Sequence, residues 1–309
     1  MELSNTSQIE LEDLDKSSID TLLLIIDEHL GHSFDERIFS VKAKQKFVLY
    51  LSDSSECIRC AKEKFIEHNF RLCNLPDNSY DSFIIEIQNI CNERTSNKIK
   101  LLIDNTLASS IWYGYILRFF ANCELPMDTI EIYFSNSLIQ SNVPLKSSKS
   151  KFTFNPLFIN SNTNIEKRPL AIIVEQSFFN KEFIKLFENQ FNPKYVIWFV
   201  EKRIADRITL NEQISRELKC NVEIHNFLEN KVEETDTALR QLVIRLRLNY
   251  KVSILTTHSK TFSLIASLIN ARYPDVDIWQ QEPEPVKISY EKTNSLIYKA
   301  VMINDELEY

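Results

Sequence analysis

Apolar positions in this chain fall into short runs, and amphipathic stretches of helical length separate them. In Lys251–Ile278 the run Val252–Leu255 is broken by the polar residues Thr256–Thr261, and Phe262, Leu264, Ile265, Leu268 and Ile269 then recur at helical spacing. The same design occurs earlier, where Lys100–Ile103 is followed by a polar turn over Asp104–Ser110, a helix over Ile111–Cys123 and a strand over Thr129–Phe134. Around these two units the pattern predicts strands at Phe47–Leu51, Arg71–Leu75, Leu170–Val174, Tyr195–Val200, Asn221–Phe227 and Asp277–Gln280. Helices are predicted at Glu56–Asn69, Ser79–Glu93, Phe178–Asn189, Ile204–Lys219 and Thr235–Leu248. Asp20–Leu30 fits a helix or a buried strand equally well. The polar, acidic residues 1–19 read as a frayed or helical surface segment, and Lys287–Glu308 as a strand pair or a strand plus helix.

Strands that alternate with helices imply parallel sheets with helices on both faces. The expected fold is α/β, with two Rossmann-like lobes. Residues 135–168 change character, being rich in Ser, Asn and Lys with little periodicity. This places a first lobe at 1–140, a polar linker at 141–168 and a second lobe with a C-terminal extension at 169–309. Phe152, Phe154 and Phe158 are expected to anchor the middle of the linker region on a lobe.

Composition narrows the chemistry. A hydrophobic fraction of 44% is enough for a real core in each lobe, and a net charge of −7 argues against a broad basic surface for nucleic acid. No apolar run approaches the roughly 18 residues of a membrane span. The acidic N-terminus is unlike a signal peptide, so a cytoplasmic location is the default expectation. Six cysteines with a single CxxC, Cys57 and Cys60, do not make a disulfide framework, and that pair reads as one face of a helix. Only two glycines occur. A Walker loop, a GxGxxG turn and a GxSxG elbow each need closely spaced glycines, so none is present in standard form. Asn and Asp are the expected substitutes in tight turns.

In open α/β sheets ligands bind in the turns after the strands. Those turns offer Ser52–Ser55 and Asp104, Asn105, Thr106, Ser109 and Ser110 in the first lobe. In the second lobe they offer Glu175–Ser177, Glu201–Arg203 and Thr256–Thr261. The last is the richest. Thr257, His258, Ser259, Lys260 and Thr261 combine hydroxyls, a cation and a helix N-terminus, which suits an anion such as phosphate; helix capping alone also explains them. Arg240 and Arg247 share a face of their helix, where a solvated surface and an acidic or phosphate contact are the alternatives. No motif places a catalytic base. His225 falls inside a strand, His29 and His32 lack a third metal ligand, Asp275 and Asp277 read as a solvated turn, and Glu282 and Glu284 as an exposed loop.

The turn Thr257-His258-Ser259-Lys260-Thr261, set between a strand and an apolar helix, resembles the signature of CARF domains. These are Rossmann-like sensors of defence proteins that bind cyclic oligonucleotides. Their turn has the form T-G-G-T-K, and His258 and Ser259 stand where it has glycines. The chain also resembles an uncharacterised bacterial family of paired Rossmann-like lobes, through Asp104, Lys260, Phe262, Tyr273-Pro274-Asp275 and Ile278-Trp279. The resemblance implies a non-catalytic sensing or accessory module of a bacterial, anti-phage defence system. It would bind a cyclic oligonucleotide or other nucleotide-like anion at Asp104, Asn105, Thr106, Thr257, His258, Ser259, Lys260 and Thr261. A protein partner or homo-oligomer is expected, with no cofactor and no metal. The alternatives are an assembly subunit with a degenerate site that works through protein contacts, and a nucleotide hydrolase or transferase using Asp104.

Overall fold

The computed structural model describes residues 1–9, 13–14, 18–26, 37–51, 62–77, 79–92, 97–122, 128–140, 153–159, 167–175, 181–201, 212–214, 216–228, 230–257, 259–281 and 290–304. It is an α/β protein with two mixed, mostly parallel sheets flanked by helices, as the sequence pattern predicts. Two compact units divide the chain, residues 1–139 with 292–309, and residues 140–291.

The first unit holds β1 (Glu2–Ile9), β2 (Ile19–Ile26), β3 (Ala43–Leu51), β4 (Arg71–Leu75), β5 (Lys98–Leu107), β6 (Thr129–Gln140) and β13 (Tyr290–Ile303). Their order is β1-β13-β6-β5-β2-β3-β4. Helix α1 (Tyr80–Asn92) links β4 to β5, and α2 (Ile111–Asn122) links β5 to β6. The second unit holds β7 (Phe154–Phe158), β8 (Leu170–Glu175), β9 (Tyr195–Glu201), β10 (Asn221–Phe227), β11 (Lys251–Thr256) and β12 (Asp277–Gln281), in the order β10-β9-β8-β11-β12-β7. Helices α3 (Lys181–Phe191), α4 (Val232–Arg247) and α5 (Lys260–Arg272) follow β8, β10 and β11.

Numbered within its own lobe, each set of five parallel strands has the order 3-2-1-4-5. Strand order therefore reverses between β2 and β5 in one lobe and between β8 and β11 in the other. These are the two topological switch points, where α/β sheets take ligands. The central strands are buried on both faces, which explains their unbroken apolar runs: Leu22, Leu23, Leu24, Ile25 and Ile26 are all buried. A run of that kind carries no periodicity, so the helix-or-strand ambiguity of Asp20–Leu30 resolves only in the fold.

Three expectations are corrected. Residues 2–9 form an edge strand, not a frayed or helical segment, because β13 supplies an antiparallel partner from Glu2↔Ile303 to Ile9↔Ile297. The C-terminal extension does not belong to the second lobe. As β13 it sits between β1 and β6 in the first sheet, and it buries Ile297, Tyr298, Ala300 and Met302. The polar stretch 141–168 contains a strand: β7 adds antiparallel to β12, with Phe154 and Phe158 buried, so the phenylalanines anchor it as expected. Phe152 lies outside the described residues.

Asparagine takes a glycine role at two helix ends. Asn69 and Asn192 have positive φ, 62° and 44°. At Asn69 the Phe70 N–H donates to the Phe65 carbonyl at 2.9 Å and the Asn69 N–H to the Ile66 carbonyl at 3.0 Å. The rings of Phe65 and Phe70 meet at 5.5 Å. This is a Schellman motif with its apolar clasp, built without glycine.

Candidate functional site

In the second lobe β8 ends on Glu175, and β11 runs through Thr256 into the turn that opens α5. Glu175 is 3% exposed, although it carries a carboxylate. The Thr257 hydroxyl lies 2.8 Å from Glu175 Oε2 and 2.8 Å from the Glu175 carbonyl oxygen, and its single proton serves one of them at a time. The Thr257 and Ser259 N–H groups point at the same Oε2, at 3.3 and 3.4 Å. Ser259 is the N-cap of α5, with extended backbone, and its Oγ accepts from the Phe262 N–H at 2.9 Å. Buried charge is costly unless paired, and a helix N-terminus attracts negative charge. The Thr257 hydroxyl and the Thr257 and Ser259 N–H groups, three of the donors that the sequence offers to a phosphate, are thus engaged by the chain's own carboxylate.

The remaining residues of this turn are placed as follows. Thr257, Ser259 and Thr261 are buried, Lys260 opens α5 and is partly exposed, and His258 lies outside the described residues. Thr256 Oγ1 donates to the Trp279 carbonyl at 3.4 Å, tying β11 to β12. Gln281, the last residue of β12, is buried, and its Oε1 has no hydrogen-bond partner.

In the first lobe Asp104, Asn105 and Thr106 lie inside β5, not in the turn that the pattern predicts. Asp104 pairs in register with Leu24 on one side and Ser135 on the other. The register then slips, since Leu24↔Asp104 is followed by Ile26↔Leu107, which puts one extra residue on β5. All three side chains are buried. The Thr106 N–H donates to Asp104 Oδ1 at 3.1 Å, and Asn105 Nδ2 to the Ser109 carbonyl at 3.2 Å, so the bulge is held by its own polar groups. The strand continues because the bulge supplies local partners that a polarity pattern reads as a turn. The other turn candidates, Ser52–Ser55, Gln176, Ser177, Lys202 and Arg203, lie outside the described residues, as do Cys57, Cys60, His29, His32, Glu282 and Glu284.

Two arginines of the cationic helix, Arg245 and Arg247, find acidic partners within the chain. Arg247 makes a two-pronged pair with Asp275, at 2.8 and 2.6 Å, and stacks over Tyr273 at 4.6 Å. Arg272 in the last turn of α5 meets Asp236 near the start of α4 at 3.0 Å, with both side chains nearly buried. Asp277, expected in a solvated turn, is 2% exposed and pairs with Lys251 at 3.0 Å. The partner of a neighbouring strand start, brought close only by the fold, draws it in.

Arg245 belongs to a cluster that sequence reading missed. On β10, Glu223 accepts from the Tyr195 hydroxyl at 2.5 Å and Arg245 at 2.9 Å through Oε2, and contacts His225 Nε2 at 2.6 Å through Oε1. Burial would raise the Glu223 pKa, but these hydrogen bonds and the Arg245 charge outweigh it and hold it down at about 2. The Glu223 hydrogen bond raises that of Tyr195 in turn. The i, i+2 spacing of Glu223 and His225 on one strand face was the available signal.

A groove of about 510 Å³ opens at the opposite, amino ends of β9 and β10, lined by Glu188, Asn192, Lys194, Lys219 and Cys220 among others. Burial, with the Glu188 charge, raises the Cys220 thiol pKa. Among the described residues no three His, Cys, Asp or Glu side chains converge as a metal-ligand set, and no helix is long and apolar enough to cross a membrane.

No protein-family model matches the chain, and no curated protein matches it in sequence.

Proposed function

We propose that the protein is a non-catalytic, two-lobed assembly subunit that works through protein contacts, in the bacterial defence setting that its CARF-like turn suggests. The observation that carries this reading is Glu175. At the switch point where a Rossmann-like sensor takes an anionic ligand, a buried carboxylate of the same chain already engages Thr257 and the N-cap amide of Ser259. A phosphate would have to displace it, or lie beside it against like charge. The bidentate Arg247–Asp275 pair and the buried Arg272–Asp236 pair likewise spend cations inside the lobe. His225 supplies no base at this switch point, because Glu223 holds it on β10, two strands away.

The test is purification of the tagged protein from its own host, followed by native mass spectrometry and thermal shift against linear and cyclic oligonucleotides. A protein partner at fixed stoichiometry and no nucleotide shift are expected. A cyclic oligonucleotide that raises the melting temperature, and no longer does so for Lys260→Ala, would overturn the reading.

One observation favours a second reading. The buried polar run Asp104–Thr106 stands at the first lobe's switch point, where the Asp104 carboxylate suits the ribose hydroxyls or base N–H groups of a nucleotide-like ligand, not its phosphate. A thermal shift that Asp104→Asn removes and Lys260→Ala spares is its signature.

A further inference from the structure

Among the described residues four strands end the two sheets: β1 and β4 in the first, β7 and β10 in the second. An open edge is a template for another strand, and proteins blunt such edges with proline, bulges, charge or shortness. Three of the four are blunted by proline, a bulge or shortness, and β10 by none of these, its charged residue Glu223 being paired within the chain. β7 carries Pro156, which offers no N–H. β1 shifts register between Leu3 and Asn5. β4 has only five residues and begins on the exposed Arg71.

β10 differs. Its seven residues run in unbroken parallel register with β9, from Asn221↔Tyr195 to Phe227↔Glu201. It has no proline, no lysine and no bulge, and it contains the β-branched pair Val222 and Ile224. These two pack partly buried against the core under the sheet, beside Trp198 and Leu218. The opposite face carries Glu223 and His225, with Arg245 reaching over from α4.

The sequence of β10 is complementary to itself. Laid antiparallel on a second copy with Ile224 at the centre, Ile224 faces Ile224, Val222 faces Asn226, and Glu223 faces His225 of the second copy. The two-fold pair then alternates carboxylate with imidazole and guanidinium on one face. On the other face it joins the two Ile224 side chains and extends the apolar layer across the axis. A carboxylate directly across from an imidazole can take a hydrogen bond from it, where carboxylate across from carboxylate would oppose the pairing. A parallel or shifted pairing loses this match.

We propose that β10 pairs antiparallel with β10 of a second copy of this chain, across a two-fold axis at Ile224, to make one continuous twelve-stranded sheet from two six-stranded ones. The partner is a second copy because the edge matches its own reversed sequence. The proposal deepens the assembly reading by naming one partner.

The experiment is cysteine cross-linking under mild oxidation, with sedimentation velocity over a range of concentrations and circular dichroism to confirm that each variant is folded. Ile224→Cys puts two thiols directly opposite each other, within disulfide reach. Val222→Cys puts its two thiols far apart on the same strand pair. The expected result is a concentration-dependent dimer that Ile224→Cys traps and Val222→Cys does not, with Val222→Cys and Asn226→Cys proteins cross-linking only when mixed. A chain that stays monomeric, or a dimer in which Ile224→Cys forms disulfide no faster than Val222→Cys, would overturn the pairing. If the monomeric chain still holds a different protein at fixed stoichiometry, the assembly reading survives that result. If it holds none, both fail.

Discussion

Thr257→Val is the sharpest probe of the Glu175 arrangement. Valine keeps the shape and removes only the hydroxyl. Glu175 Oε2 then loses its 2.8 Å donor and keeps amide contacts at 3.3 and 3.4 Å, both long for N–H···O bonds. A hydrogen bond to a charged group contributes about 1.5–3 kcal/mol, and this carboxylate is buried, so a loss of about 2 kcal/mol is expected. Glu175→Gln keeps an acceptor but gives up the charge that the α5 N-terminus favours, an effect of about 0.5–1 kcal/mol. In that background Thr257→Val should cost about 1 kcal/mol less, because the hydroxyl then serves a neutral amide. Trp198 and Trp279 lie in the second lobe and Trp112 in the first, so urea unfolding in a Trp112→Phe background reports on the relevant unit. A double-mutant cycle extracts the coupling. A cost below about 0.5 kcal/mol for Thr257→Val, with strictly additive effects, would refute the reasoning, since a buried acceptor does not lose a 2.8 Å donor that cheaply.

Further expectations concern other parts of the fold. The Glu223 pKa is lowered from 4.5 to about 2, so its contribution is full above pH 4.5 and fades as pH falls toward 2. The side chain is about one-third exposed and solvent screens it, so Glu223→Gln should cost about 1 kcal/mol or less at neutral pH. Urea titrations of both proteins at several pH values should show that gap closing in acid. Asp236→Ala removes the carboxylate that Arg272 pairs with and should destabilise by about 3 kcal/mol, whereas Asp236→Leu with Arg272→Met should recover most of that. Thermal denaturation of the three proteins checks the order. At Asn69, which has φ 62°, glycine should stabilise and alanine destabilise, each by about 1 kcal/mol or less, as measured by the same method.

Much of the fold was legible in the chain, and the limits have physical causes. Val252–Leu255 and Tyr195–Val200 announced themselves because central parallel strands are buried on both faces and read as apolar runs. The amphipathic spacing of Phe83, Ile87, Ile90 and Cys91 gave α1 in the same way. Residues 2–9 were not legible because an edge strand of Ser, Asn and Thr depends on β13, almost 300 positions away. The tail was assigned to the wrong lobe for the same reason: no local pattern records which sheet a strand will join. At the site, Thr257 and Ser259 were visible as polar residues before a helix. Glu175 was visible too, as a residue ending a strand. What sequence could not give was that these two turns meet, so that a carboxylate 82 residues upstream fills the donors of the other. Asp104–Thr106 shows the converse, since buried polar residues that bond to one another inside a bulge look like a turn.

The most direct test of the central claim is an amide ¹H–¹⁵N titration of the intact protein with inorganic phosphate and then with cyclic oligonucleotides, read at Thr257, Ser259 and Phe262. The account predicts that these three resonances stay in place, because Glu175 and Ser259 Oγ already hold their N–H groups. Saturable shifts at all three, with submillimolar affinity for any nucleotide, would contradict it.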